Sequence, residues 1–189
     1  MKIIIGLGNP QKRYESTRHN LGRLILKEFQ KQTDFPEFKL KKKLQSLLSE
    51  GNFKKQKIIL ALPEASMNLS GKSIKALIAN YKLPVIHLLV IHDDFDLELG
   101  KIRISKNRGA AGHKGVQSTI NELKTKDFIR FRIGIKPKRK PKDLDKFVLK
   151  KFTGTEEKII KKVIEKTLNA IEVFLNQGLE KAMSEFNKE

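Results

Sequence analysis

Cysteine is absent from the 189-residue chain, which removes disulfides, thiolate nucleophiles and sulfur-ligated zinc together. Tryptophan is absent too and tyrosine occurs only twice, so a stacking platform for unpaired bases is poorly supplied, while 11 phenylalanines are available to a core. No apolar run approaches the roughly 20 residues that span a bilayer, and Met1-Lys2 before three isoleucines is too short for a secretory leader. A cytoplasmic protein with no membrane partner is the expectation. Acidic residues are few: 21 Asp plus Glu stand against 40 Lys plus Arg, a formal charge of +19. That excess favours a polyanionic partner, nucleic acid ahead of an anionic membrane surface. A chain of this length buries about two-thirds of its unfolded surface, so residues 1–189 read as one domain around one core.

The apolar pattern alternates between strand and helix periods. Ile3-Ile4-Ile5 stops at Gly6-Leu7-Gly8-Asn9-Pro10, a buried strand ending in a turn. Leu21, Leu24, Ile25 and Phe29 predict a helix from about Asn20 to Gln32. Leu44–Glu50 and Lys57–Leu62 read as two strands hinged at Gly51-Asn52. Ile74, Leu77, Ile78 and Tyr81 mark a helix closing near Pro84, and Val85–Ile91 is an interior strand that delivers His92, Asp93 and Asp94 to its carboxyl end. Lys101–Lys106 and Phe128–Ile135 alternate as one-faced strands. Between them a glycine-rich connection, 108–115, leads into a helix carrying Val116, Ile120 and Leu123. Lys136–Lys142 is an exposed basic loop, and from Thr155 a long helix turns Ile160, Val163, Ile164, Leu168, Ile171 and Leu175 inward. The hairpin makes the predicted α/β sheet mixed rather than purely parallel.

Several motifs invite chemistry and most fail on spacing. Gly6-Leu7-Gly8 follows a strand as a dinucleotide loop does, but Gln11 stands where the third glycine belongs; the plainer reading is that Gly6 and Gly8 permit a tight turn. Ser70-Gly71-Lys72-Ser73 ends like a phosphate loop but has Ser66 where that motif needs glycine. His92, Asp93, Asp94 and Asp96 could suggest a metal, yet consecutive residues of an extended segment cannot all point at one ion. No G-x-S-x-G occurs. His19 can be a structural histidine, a metal ligand or a general base; its place among Thr17, Arg18 and Asn20 at an element boundary favours the last, with Asp93 or Asp94 accepting its Nδ1 proton so that Nε2 can take one from water. Asn68 can be a helix N-cap or an amide that grips a peptide group or an oxyanion. Gly112-His113-Lys114-Gly115 can be a flexible loop or, opening a helix, an anion site.

Taken in order, G-L-G-N-P-x-x-x-Y-x-x-T-R-H-N-x-G (6–22), M-N-L-S-G-K (67–72), H-D-D-F-D-L (92–97), G-A-A-G-H-K-G-V (109–116) and F-R-I-G-I (131–135) resemble the bacterial peptidyl-tRNA hydrolase family over essentially the whole chain. The resemblance implies a single domain with a twisted mixed sheet flanked by helices, and an enzyme that cleaves the ester joining a peptide to the 3′ end of tRNA without metal or other cofactor. By position, His19 is similar to the family's water-activating base and Asp93 to its orienting carboxylate. Asn9 and Asn68 resemble the amides that hold the peptide and the reacting carbonyl, and Tyr14 and Met67 would line the cleft. Arg132 is similar to the contact to the acceptor-stem phosphate, with Arg103 and Lys106 as further tRNA contacts. A monomer with no obligate protein partner is expected. Three positions depart from the family pattern: Gln11 replaces a glycine, Ser105 occupies the place of the basic partner of Arg132, and Lys114 replaces an asparagine. Lysine donates but cannot accept, so Lys114 suits a substrate phosphate better than an amide's role. A competing expectation is an RNA-binding relative without catalysis; retention of His19, Asp93, Asn9 and Asn68 together argues against it.

Overall fold

The computed structural model describes residues 1–137, 139 and 141–188. Strands β1 (Lys2–Gly6), β2 (Lys39–Lys41), β3 (Ser46–Phe53), β4 (Gln56–Pro63), β5 (Leu88–Glu98), β6 (Ile102–Lys106) and β7 (Ile129–Lys136) form one sheet in the order β2-β3-β4-β1-β5-β7-β6. The inner four, β4-β1-β5-β7, are parallel, and β2, β3 and β6 add antiparallel flanks. Strands covered on both faces must be apolar on both, and Ile3-Ile4-Ile5, Ile58–Leu62 and Leu88–Ile91 are buried throughout. Ile4, Leu60, Leu89 and Phe131 face helices α1 (Leu21–Gln32), α5 (Gly154–Gln177) and α6 (Leu179–Phe186). Ile3, Ile5, Ile59 and Val90 face α2 (Ser70–Asn80) and α3 (Lys114–Leu123). A one-turn helix, α4 (Leu144–Val148), precedes α5, whose Thr153 and Glu156 form a reciprocal capping box. Among the described residues no helix is long and apolar enough to cross a membrane.

The mixed α/β sheet has the expected inner strands, with shifted details. The β3–β4 turn falls at Lys54-Lys55, where Lys54 takes a φ of 53°. Gly51 is instead inside β3, and a Cβ there would meet the Phe35 ring at 2.9 Å, so this glycine seats an aromatic ring rather than turning the chain. Val85–His87 forms a 3₁₀ turn, and β5 starts at Leu88 and runs through the acids to Glu98. Asn68 caps neither element beside it; it lies exposed within a 3₁₀ turn, Met67–Leu69. In the basic loop, Lys138 and Lys140 lie outside the described residues. At the outer edge of the sheet Asn187 lies against β6: its side chain accepts from the Ile104 N–H at 2.7 Å and donates to the Ile104 carbonyl at 2.9 Å.

Candidate active site

The site forms where the carboxyl ends of β1, β4 and β5 meet, the usual place for chemistry on an open α/β sheet. Three chain segments must meet there at backbone contact. Leu7 N–H donates to the Ile91 carbonyl at 3.0 Å and Arg23 N–H to the Leu7 carbonyl at 3.1 Å. A Cβ on Gly22 would lie 2.2 Å from the Ile91 oxygen. Neither Gly6, Gly8 nor Gly22 has a positive φ, so the opening glycines serve close packing of α1 on the strand ends, which corrects their reading as turn formers. The contact sets the 3₁₀ turn Arg18–Asn20 beside Asn9 and the end of β5.

His19, 8% exposed, directs Nδ1 at Asp93, 3.0 Å from each carboxylate oxygen. His113 supplies the second contact, its Nε2 lying 3.1 Å from Asp93 Oδ1. The Nδ1 of His113 accepts from the N–H groups of Gly115 and Val116 at 3.1 and 3.2 Å, capping α3. Two backbone donors at Nδ1 require a lone pair there, so the ring proton sits on Nε2 and points at Asp93. Asp93 thus accepts from two imidazoles, and the remaining His19 nitrogen, Nε2, has no hydrogen bond among the described residues. Burial opposes the charged form of His19, but the Asp93 charge and its hydrogen bond outweigh burial and raise the imidazole above its ordinary value. Burial likewise pushes Asp93 up, while His19 and His113 together hold it far below the usual carboxylate range. Asp94, the other candidate partner for His19, is engaged by Arg132 Nε at 2.7 Å.

Asn9 is locked from two sides. Its N–H donates to Asn20 Oδ1 at 2.8 Å and its carbonyl accepts from Asn20 Nδ2 at 2.9 Å. Its own Oδ1 accepts from the Met67 N–H at 3.0 Å, which leaves the Asn9 amide N–H₂ as the group available to a ligand. Asn9, Tyr14, Met67, Asn68 and Lys114 line one cleft of ≈ 440 Å³ with His19. Past Asn9 a second recess of ≈ 250 Å³ has Gln11, Glu15 and Glu64 on its walls. The sequence reading missed Asn20 and His113. Asn20 looked like the start of a helix and His113 like part of a loop, because their partners are distant in the chain.

Arg103 and Arg132 are cross-strand neighbours on β6 and β7. Arg130, fully buried, belongs to the same face, its pKa lowered to about 10 first by burial and then by Arg132 and Arg108. Its Nε and Nη1 have no partner among the described residues. The F-I-R-F-R alternation carried the signal for this second arginine. Lys106 is not brought to this group: it pairs in register with Ile129, three rungs or about 10 Å along the strand from Arg103, and forms an ion pair with Asp127 at 3.1 Å. Two further buried arginines act as ties. Arg18 donates to the Lys150 and Lys151 carbonyls and to Glu156 at 3.1, 2.7 and 2.6 Å, stacked on Phe147 and Phe152. Arg23 joins α1 to Pro63 and Glu64 at the end of β4.

His19, Asp93 and His113 bring ligand atoms within 4.8 Å of one another, but the donors suit a proton bridge better than a metal. Coordination by His113 Nε2 would require the imidazolate, since Nδ1 is committed to two backbone N–H groups. His92, Asp94 and Asp96 do not join them: His92 is bonded to the Asp93 carbonyl, Asp94 turns to Arg132, and Asp96 is exposed.

An α/β sheet with a carboxylate-held histidine opening on an amide-lined cleft is the equipment of a hydrolase that works on water directly. Comparison narrows the class. The profile of the peptidyl-tRNA hydrolase family matches residues 3–189. The chain is 45% identical to the peptidyl-tRNA hydrolase of Thermoanaerobacter sp. (strain X514) over 99% of its length and 100% of that protein's. It is 43% identical to that of Caldanaerobacter subterraneus subsp. tengcongensis, with the same coverage. A crystal structure of peptidyl-tRNA hydrolase from Acinetobacter baumannii matches with a TM-score of 0.93 at 27% identity, over 99% of this chain and 94% of that one. The chain belongs to the peptidyl-tRNA hydrolase family.

Proposed function

We propose that this protein hydrolyses the ester between a peptide and the 3′ end of tRNA, returning the tRNA for reuse in translation. The observation that carries the reading is the His19–Asp93 pair at 3.0 Å, with Nε2 left for water in a cleft lined by Asn9 and Asn68. His19 Nε2 removes a proton as the water oxygen attacks the ester carbonyl carbon. Asp93 steadies the imidazolium, and the Asn68 and Asn9 amide N–H groups face the developing oxyanion and the peptide main chain. Collapse of the tetrahedral intermediate breaks the bond to the ribose oxygen, which takes the proton back from His19. The products are a peptide carboxylate and a tRNA hydroxyl. An ester is a reactive acyl donor, so a positioned water and a base suffice without a covalent nucleophile. Tyr14 and Met67 flank the acyl group; Arg132 and Arg103 hold acceptor-stem phosphates, Arg130 backs them, and Lys106 makes a peripheral contact. Such contacts position RNA without reading its sequence. The protein acts in the cytoplasm, as a monomer without an obligate protein partner.

The test is incubation with peptidyl-tRNA and with free aminoacyl-tRNA. The wild type releases peptide, and His19→Ala loses about 10²- to 10⁴-fold in kcat/KM. A wild type that binds tRNA but frees no peptide would establish a binding module instead, and near-normal turnover by His19→Ala would remove His19 as the base.

A further inference from the structure

Lys114 reaches from the first turn of α3 to α4, where its Nζ lies 2.7 Å from Asp145 Oδ2. The pair stands where two recesses meet. Lys114, Asp145, Val148 and His19 belong both to the cleft that holds Asn9 and Asn68 and to a smaller one bounded by Asp93, Asp94 and Gly112. Any ester laid across His19 therefore lies across this ion pair. Both side chains are solvent-exposed, 56% and 72%, and an exposed pair contributes little and is readily exchanged. The charges of both act on His19 in opposite senses, which is a measure of their nearness to it.

The chemistry of the substrate class named above indicates what displaces Asp145. The ester and the peptide bonds beside it are uncharged, and the nearest anion is the phosphodiester on the 5′ side of the esterified nucleoside. A lysine ammonium has three donors and no acceptor, so it meets that anion as it meets a carboxylate. The orientation agrees: the smaller recess lies toward Asp94, which holds Arg132, so the nucleotide end lies on that side and the acyl group on the Asn9 side.

We infer that the Lys114–Asp145 pair is a displaceable bridge, and that the last phosphodiester of the substrate takes the place of the Asp145 carboxylate on Lys114. Lys114 is then a specificity residue for a terminal nucleoside that carries a 5′-phosphodiester, a contact an asparagine at that position would make far more weakly. The inference rests on the ester-hydrolase reading, and the experiment separates the two. A nucleoside and the same nucleoside carrying a 5′-methyl phosphodiester are titrated into the protein and followed by the NMR signals of His19. The wild type binds the phosphodiester about tenfold more tightly, Lys114→Gln loses most of that preference, and Lys114→Arg keeps it. Asp145→Asn, which removes the competing carboxylate, tightens phosphodiester binding about threefold. A wild type with no preference, including no detectable binding of either probe, or a Lys114→Gln that keeps the preference, overturns the inference. Peptide release from peptidyl-tRNA, measured on the same preparations, reports on the reaction independently.

Discussion

A histidine that takes a proton from water must be neutral when it does so, yet the carboxylate that orients it also favours its charged form. In His19 the two influences are separable, because burial lowers its pKa and Asp93 raises it by more. The sign follows: below the raised value His19 is protonated and cannot act as a base, so kcat/KM rises with pH through one ionisation above the ordinary 6.5. Asp93→Asn leaves the burial and removes the charge. The rising limb should move below 6.5 while the plateau drops on the order of 10²-fold; a limb that stays in place would show that Asp93 does not set the basicity of His19. His19, Asn9, Asn68 and the choice between Asp93 and Asp94 illustrate what a sequence can show at this scale. Ordered motifs name all four, Asp93 included, whereas the local residue pattern leaves Asp93 and Asp94 equivalent; what separates them is that Arg132 occupies Asp94, a contact across the sheet. Asn20 and His113 act on residues eleven and twenty positions away; both lie within the ordered motifs, but nothing local shows what they bond.

Among the elements, those with a long period were legible and those held by a few contacts were not. Helices α1, α2, α3 and α5 bury a stripe; α1 runs within one residue of the expected Asn20 to Gln32 and α5 starts one residue before Thr155, while α2 closes at Asn80, short of Pro84. β2 has no buried residue to alternate and exists through its pairing with β3; α4 buries only Val148. These weakly marked pieces still matter, since α4 carries Asp145 and Val148 to the cleft wall. What holds that wall is Arg18, one residue from the base. Arg18→Met removes the partner of two carbonyls and of the part-buried Glu156. Denaturant unfolding should show a loss of about 3 kcal/mol and kinetics a raised KM. Arg18→Lys should recover little of either, because one ammonium cannot reproduce the guanidinium fork. Full recovery with lysine would reduce the tie to simple charge.

For the molecule as a whole, the excess charge was plain from composition, but its placement was not. Cations gather at the Arg103–Arg132 face and, at the opposite edge of the sheet, in the exposed run Lys41-Lys42-Lys43. If Arg103, Arg132 and Lys106 each neutralise a phosphate, log K for tRNA falls against log salt with a slope of about −2.7, roughly 40-fold between about 50 and about 200 mM. A filter-binding or anisotropy series measures it, and a flat response would remove phosphates as the source of affinity.

The two margins of the sheet have a bearing on this chemistry that charge and catalysis do not cover. Open strands recruit other extended chains by backbone pairing, and a peptidyl substrate brings an extended chain of arbitrary sequence. At β6 the Asn187 amide offers one donor and one acceptor, as a single residue of a further strand would, and so occupies the rung at Ile104. At β2 the exposed margin is three residues long and contains Lys39 and Lys41, too short and too charged to act as a template. Both flanks are thus poor places for a released peptide to add as an eighth strand.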